Sequence, residues 1–135
     1  MIFIAFFAKR ENLQPGMVVG CYAAPGAPAL EIGLSTIRIM QASAPRLSYE
    51  PQQSKTSYQL SVRPALKLKP QADGHYRFEQ TMGIGYFWAL LPEEGKNRNR
   101  VRHPRDYSGR FEVYASDGAR LVYVRQTTSN LCRQN

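Results

Sequence analysis

Apolar and polar positions alternate with a spacing close to two along most of the chain. Beyond Leu30, the residues Leu34, Ile37 and Ile39 are interleaved with Ser35, Thr36 and Arg38, the pattern of one strand with a wet face. Leu47-Ser-Tyr49 and Tyr58-Gln-Leu60-Ser-Val62 repeat it on either side of the polar stretch 51–55, which predicts a hairpin or an arch. Pro64 interrupts the run; proline cannot donate to a ladder, so this point belongs at an edge, a bulge or a bend between sheets. Leu66-Lys-Leu68-Lys69 resumes the alternation, and the Asp73-Gly74 turn leads into a segment, 75–91, that reads as one strand. Its second half is apolar on both parities, as in a central strand covered on two sides, with Ile84, Tyr86, Trp88 and Leu90 as core candidates. Gly83 and Gly85 predict a kink there, where a sheet turns a corner. The strongest local signal is Asp117-Gly118 between the alternating runs 110–115 and 119–125, a hairpin.

No stretch carries a 3.6-residue period. The fold class is therefore all-β, a single-domain antiparallel sandwich or small barrel of about seven strands. Residues 14–28 hold three prolines and three glycines and read as a loop. The expected organisation is an N-terminal segment and irregular arm over 1–29, a β domain over 30–126, and a polar, frayed tail over 127–135.

Composition narrows the class of protein. With 135 residues, 43% hydrophobic and 11% aromatic, the chain can bury one core and excludes both wholesale disorder and a second domain. The longest apolar run, 1–8, is too short to span a bilayer, so no transmembrane segment is expected. That run reads as a short strand or a docking tail, since it has no basic segment before it and meets Lys9, Arg10 and Glu11 at once. Val18-Val19-Gly20-Cys21 has the spacing of a lipoprotein cleavage box, but polar residues precede it. The localisation expected by default is cytoplasmic, with an extracytoplasmic setting if the true start lies elsewhere. Cys21 and Cys132 match neither a CxxC motif nor zinc-ligand spacing. No metal and no cofactor are expected, and two unpaired thiols are favoured over a bond closing about 110 residues.

The net charge of +8 is unevenly placed: residues 95–110 carry Lys96, Arg98, Arg100, Arg102, Arg105 and Arg110 against Asp106 alone. Such a cluster concentrates polyanions and makes association salt-sensitive. If the segment is extended, Arg98, Arg100 and Arg102 lie on one side about 6.5–7 Å apart, near a nucleic-acid phosphate repeat. Tyr107 and Tyr114 would then offer stacking surfaces.

A second constellation is His75, Arg77 and Glu79 on one strand face, with Lys67 and Lys69 opposite and His103 in the basic segment. A base, an acid and cations around a phosphodiester are the requirements of a metal-independent ribonuclease. Cross-strand charge pairing explains the same residues without chemistry. Gly83-Ile-Gly85 lacks the third glycine of a dinucleotide-binding loop, Trp88 standing in its place, and no hydrolase, zincin or P-loop signature occurs.

The reading that follows is a non-catalytic basic β-domain that binds an acidic partner, nucleic acid first among polyanions, through 95–110. Its binding residues are Lys96, Arg98, Arg100, Arg102, Arg105 and Tyr107. The alternatives are a ribonuclease-like toxin using His75, Glu79 and Arg77 with His103, and an envelope or secreted β-sandwich, tied by Cys21–Cys132, that acts by protein contact.

Overall fold

Alternation of side chains about each strand closes this chain into a barrel. The computed structural model describes residues 11–83 and 85–133. Ile84 and the apolar N-terminal run, a core candidate and a supposed strand or tail, lie outside the described residues. The strands are β1 (Gly20–Ala23), β2 (Leu30–Ile32), β3 (Thr36–Ile39), β4 (Leu47–Gln53), β5 (Tyr58–Arg63), β6 (Leu66–Pro70), β7 (Tyr76–Gln80), β8 (Tyr86–Leu91), β9 (Arg110–Tyr114) and β10 (Arg120–Arg125). Eight of them form a closed antiparallel barrel in the order β1-β10-β9-β8-β5-β4-β3-β2, and β6 with β7 makes a separate two-stranded sheet.

The all-β class and the small barrel thus hold, with ten strands in place of seven among the described residues. Three segments differ from the sequence reading. The stretch read as a loop within the arm contains β1, because the short run Cys21-Tyr22 supplies a strand between its glycines and prolines. The single strand expected beyond Leu30 is two, β2 and β3, folded at Gly33, whose N–H donates to Thr36 O at 2.9 Å, leaving Leu34 exposed at the turn. The long strand over 75–91 is also two, β7 and β8, which belong to different sheets. At the other predicted break the expectation of a bend between sheets is met: β5 ends at Arg63 and the chain leaves the barrel at Pro64.

Inward positions fill the interior. Tyr22, Tyr58, Leu60, Trp88, Leu90, Phe111 and Tyr123 are all fully buried. Trp88 and Phe111 stack at 5.3 Å between centroids and 4° between planes, and Phe111 stacks on Tyr123 at 5.3 Å and 7°. Three neighbouring strands therefore share one pile of rings, as an eight-stranded barrel whose lumen just accommodates side chains requires.

Each end is plugged. At the upper end the β6–β7 hairpin lies across the barrel with Leu68 and Phe78 buried. It is bonded to all three turns there: Tyr76 N–H donates to Gly26 O at 2.7 Å, Ser116 N–H to Leu68 O at 2.8 Å, and the Gln41 side chain bridges both backbone groups of Phe78 at 2.8 and 2.9 Å. At the lower end Leu13, Val18 and Val101 close the mouth.

Cys21 and Cys132 are bonded to each other, with Cα atoms 5.9 Å apart. This corrects the expectation of free thiols. Within the tail, Cys132 is buried at the end of a 3-10 turn, and its carbonyl accepts from Arg38 Nη2 at 2.8 Å. Closure of the barrel brings β1 back beside β10, where the chain enters the tail, and that meeting was not visible in the spacing of the cysteines.

Candidate functional site

Antiparallel order puts the β4–β5 turn (54–57) and the long β8–β9 connection (92–109) at the same, lower end. The connection does not run extended from Arg98 to Arg102. Asn97, Arg98 and Asn99 all take left-handed backbone angles, φ 50° to 62°, in a 3-10 turn. Asparagine tolerates that region, so the two asparagines favour the turn that carries Arg98 out of line.

From Arg100 the backbone is extended and alternates. Val101 points inward and is fully buried, and its N–H donates to Ser57 Oγ at 2.9 Å. Arg100 and Arg102 are exposed on either side of it. Pro104 is buried, and the His103 N–H donates to Asp106 Oδ2 at 3.1 Å, opening a second 3-10 turn, Pro104–Asp106. Tyr107 then turns in, its hydroxyl 2.7 Å from that of Tyr22. Three inward anchors, Val101, Pro104 and Tyr107, hold the backbone that presents the cations.

Lys55, Thr56, Arg100, Arg102 and His103 line a cleft of about 450 Å³ between the two connections. Its lining among the described residues contains no carboxylate. Among the described residues no acidic side chain pairs with Lys55, Arg100 or Arg102. The other basic residues are placed differently. Lys96 pairs with Glu93 at 3.5 Å, and with Arg105 it borders a smaller hollow of about 210 Å³ that also contains Asp106 and Tyr107. Arg98 borders neither hollow. Arg110 Nη1 donates to Pro92 O at 2.7 Å and fixes the base of the connection.

The two tyrosines expected to stack on bases have other surroundings. Tyr107 is pinned to Tyr22, and the Arg125 guanidinium lies over its ring at 5.4 Å from the centroid. Burial pushes the Tyr107 hydroxyl well above the ordinary tyrosine range. Tyr114 ends β9 at the upper end, beside the 115–119 turn. Neither ring lines the cleft.

The second constellation sits in the upper hairpin. Lys67 is in register with Glu79 and Lys69 with Arg77. His75 precedes β7 and is exposed, its Nδ1 3.6 Å from Asp73 Oδ1. The Asp73 carboxylate accepts the His75 backbone N–H at 2.9 Å and is held below the usual carboxylate range by that bond. Arg77 Nη2 donates to Ala42 O at 3.2 Å. His103 is at the opposite end of the barrel from His75, a full strand length away, so the structure does not bring the two imidazoles together.

Lys55 was absent from the sequence-derived site. Its only signal was position: β5 pairs with β8, so the β4–β5 turn returns to the same end as the β8–β9 connection. Comparison of the chain with family models, with curated proteins and with solved structures finds no match.

Proposed function

We propose that this protein is a binding module that holds an acidic macromolecule at the lower end of the barrel, through Lys55, Arg100 and Arg102. The observation that carries the reading is the cleft itself, where cations from two connections converge on a lining without a carboxylate. Unneutralised cations on a pinned backbone attract dispersed negative charge and lose little entropy in holding it. The stacked rings fill the lumen, so the outer surface and the barrel ends are where a partner can be met. Lys96 and Arg105 have acidic neighbours and contribute less.

The test is a binding titration against an acidic polymer across a salt series. Replacing Lys55, Arg100 and Arg102 together with alanine should flatten the slope of log K against log salt by about three units, one per lost contact, with the melting temperature unchanged. An unaltered slope in a folded triple variant would remove the site.

A further inference from the structure

Resting on that reading, we infer that the cleft takes a sulfated or carboxylated polysaccharide rather than a nucleic acid. Three observations bear on the choice. First, single-strand binders built on small barrels combine a cationic groove with rings on which successive bases stack. Among the described residues this cleft has the groove without the rings, because Tyr107 is bonded to Tyr22 and covered by Arg125, and Tyr114 is at the other end. Second, the lining offers two forks, an ammonium and one hydroxyl, which suit sugar acids as they would phosphates and so permit the choice without making it. The planar guanidiniums of Arg100 and Arg102 match the oxygens of a sulfate or carboxylate in pairs, Lys55 supplies a point charge, and Thr56 adds a hydroxyl that donates and accepts. At about 450 Å³ the space accommodates a sugar unit with its anionic substituents. Third, the Cys21–Cys132 bond is of the kind that persists in oxidising compartments, where acidic glycans are the abundant polyanions and nucleic acids are not.

The experiment compares dextran sulfate, unsulfated dextran and polyuridylate in a competition assay with the intact, oxidised protein near physiological salt. Dextran sulfate should bind at least about tenfold tighter than polyuridylate of matched charge. Unsulfated dextran should not compete. The Arg102→Ala and Lys55→Ala variants should each lose dextran sulfate affinity, and Arg102→Lys should recover only part of it because the fork is missing. Equal or tighter binding of polyuridylate, still sensitive to Lys55 and Arg102, overturns the polysaccharide inference and leaves the acidic-partner reading standing. Binding of neither polymer, or binding of either that ignores both variants, overturns the cleft as a site altogether.

Discussion

The hydroxyls of Tyr22 and Tyr107 meet at 2.7 Å although the residues are 85 positions apart. The direction of that bond follows from the remaining partners. Tyr22 has one hydroxyl proton, and it is donated to Val18 O at 2.8 Å. Arg125 donates to the same oxygen from Nε at 3.1 Å and Nη2 at 2.9 Å. Tyr22 is therefore the acceptor and Tyr107 the donor, and one buried oxygen joins β1, β10 and the basic connection.

That arrangement ranks two conservative variants. Tyr107→Phe removes one donor from an oxygen that keeps Arg125, and should cost about 1 kcal/mol, the net worth of a hydrogen bond. Tyr22→Phe strips partners from the Tyr107 hydroxyl, Val18 O and the guanidinium together, and should cost more, about 2–3 kcal/mol. Urea unfolding of the two proteins checks the order. A larger loss in Tyr107→Phe would mean that Tyr22 is not the hub.

Burial of phenols sets an alkaline limit. Burial, with a smaller contribution from Tyr22, pushes the Tyr49 hydroxyl up to about 12 from an ordinary 10.0. Burial also raises Tyr22, Tyr107 and Tyr123. Between those two pH values the unfolded chain has released protons that the folded barrel retains, so the unfolded state binds fewer protons and stability falls as pH rises. The contribution is complete below about pH 10 and fades through pH 12. Tyrosinate absorbance from these buried phenols should therefore appear in step with unfolding, and Tyr49→Phe should make the decline less steep. An absorbance change lost in Tyr49→Phe that appears while the barrel stays folded would contradict the assigned burial.

The strands were legible in the sequence wherever one face is wet and one is dry. The β9–β10 hairpin, with Asp117-Gly118 at its tip, and the alternation of β4 and β5 follow directly from side-chain period. What stayed hidden depends on closure. β1 has four residues and no clean alternation, since Tyr22 faces the lumen and Cys21 is covered by the tail. The break between β7 and β8 was hidden because the alternation of β7 runs into the apolar strand that lines the barrel with no proline or charged residue between them. For the site, the charge cluster showed which segment to inspect. Which arginines share a cleft was set by the left-handed turn at 97–99, and the partnership with Lys55 by barrel topology.

Gly85 marks the place where the chain re-enters the barrel. A Cβ there would stand 2.8 Å from Val62 O, a backbone atom of the neighbouring strand that has no free rotation by which to yield. Gly85→Ala should cost about 1–3 kcal/mol, the range for overpacking. Gly16 is the control: among the described residues nothing lies within 4 Å of its Cβ position, and its alanine variant should stay within about 0.5 kcal/mol of the parent. Thermal melts of the pair decide the matter, and equal melting temperatures would exclude the close approach.

The closing seam of the barrel is short, with Tyr22 in register with Arg125 and Ala23 with Val124. One further bond, Gln126 N–H to Cys21 O at 2.7 Å, extends it to the residue that carries the disulfide. The bond to Cys132 therefore fastens the tail across one of the two junctions, with β3–β4, where the barrel strands share only two register pairs. It spans 111 positions, and a cross-link closing so long a loop contributes at most about 4–5 kcal/mol through the unfolded chain. The Cys21→Ser/Cys132→Ser variant should lose a large part of that in urea unfolding. Hydrogen exchange localises the effect: amides of 22–23 and 124–126 should lose protection ahead of those in β4 and β5, since opening can begin at the seam once the tail is released. Under non-reducing conditions the parent should have the mass of a chain two hydrogens lighter and no thiol that reacts before denaturation. Uniform loss of protection in the variant would assign the cross-link to the unfolded state alone, and two reactive thiols in the native parent would remove the seam's fastening entirely.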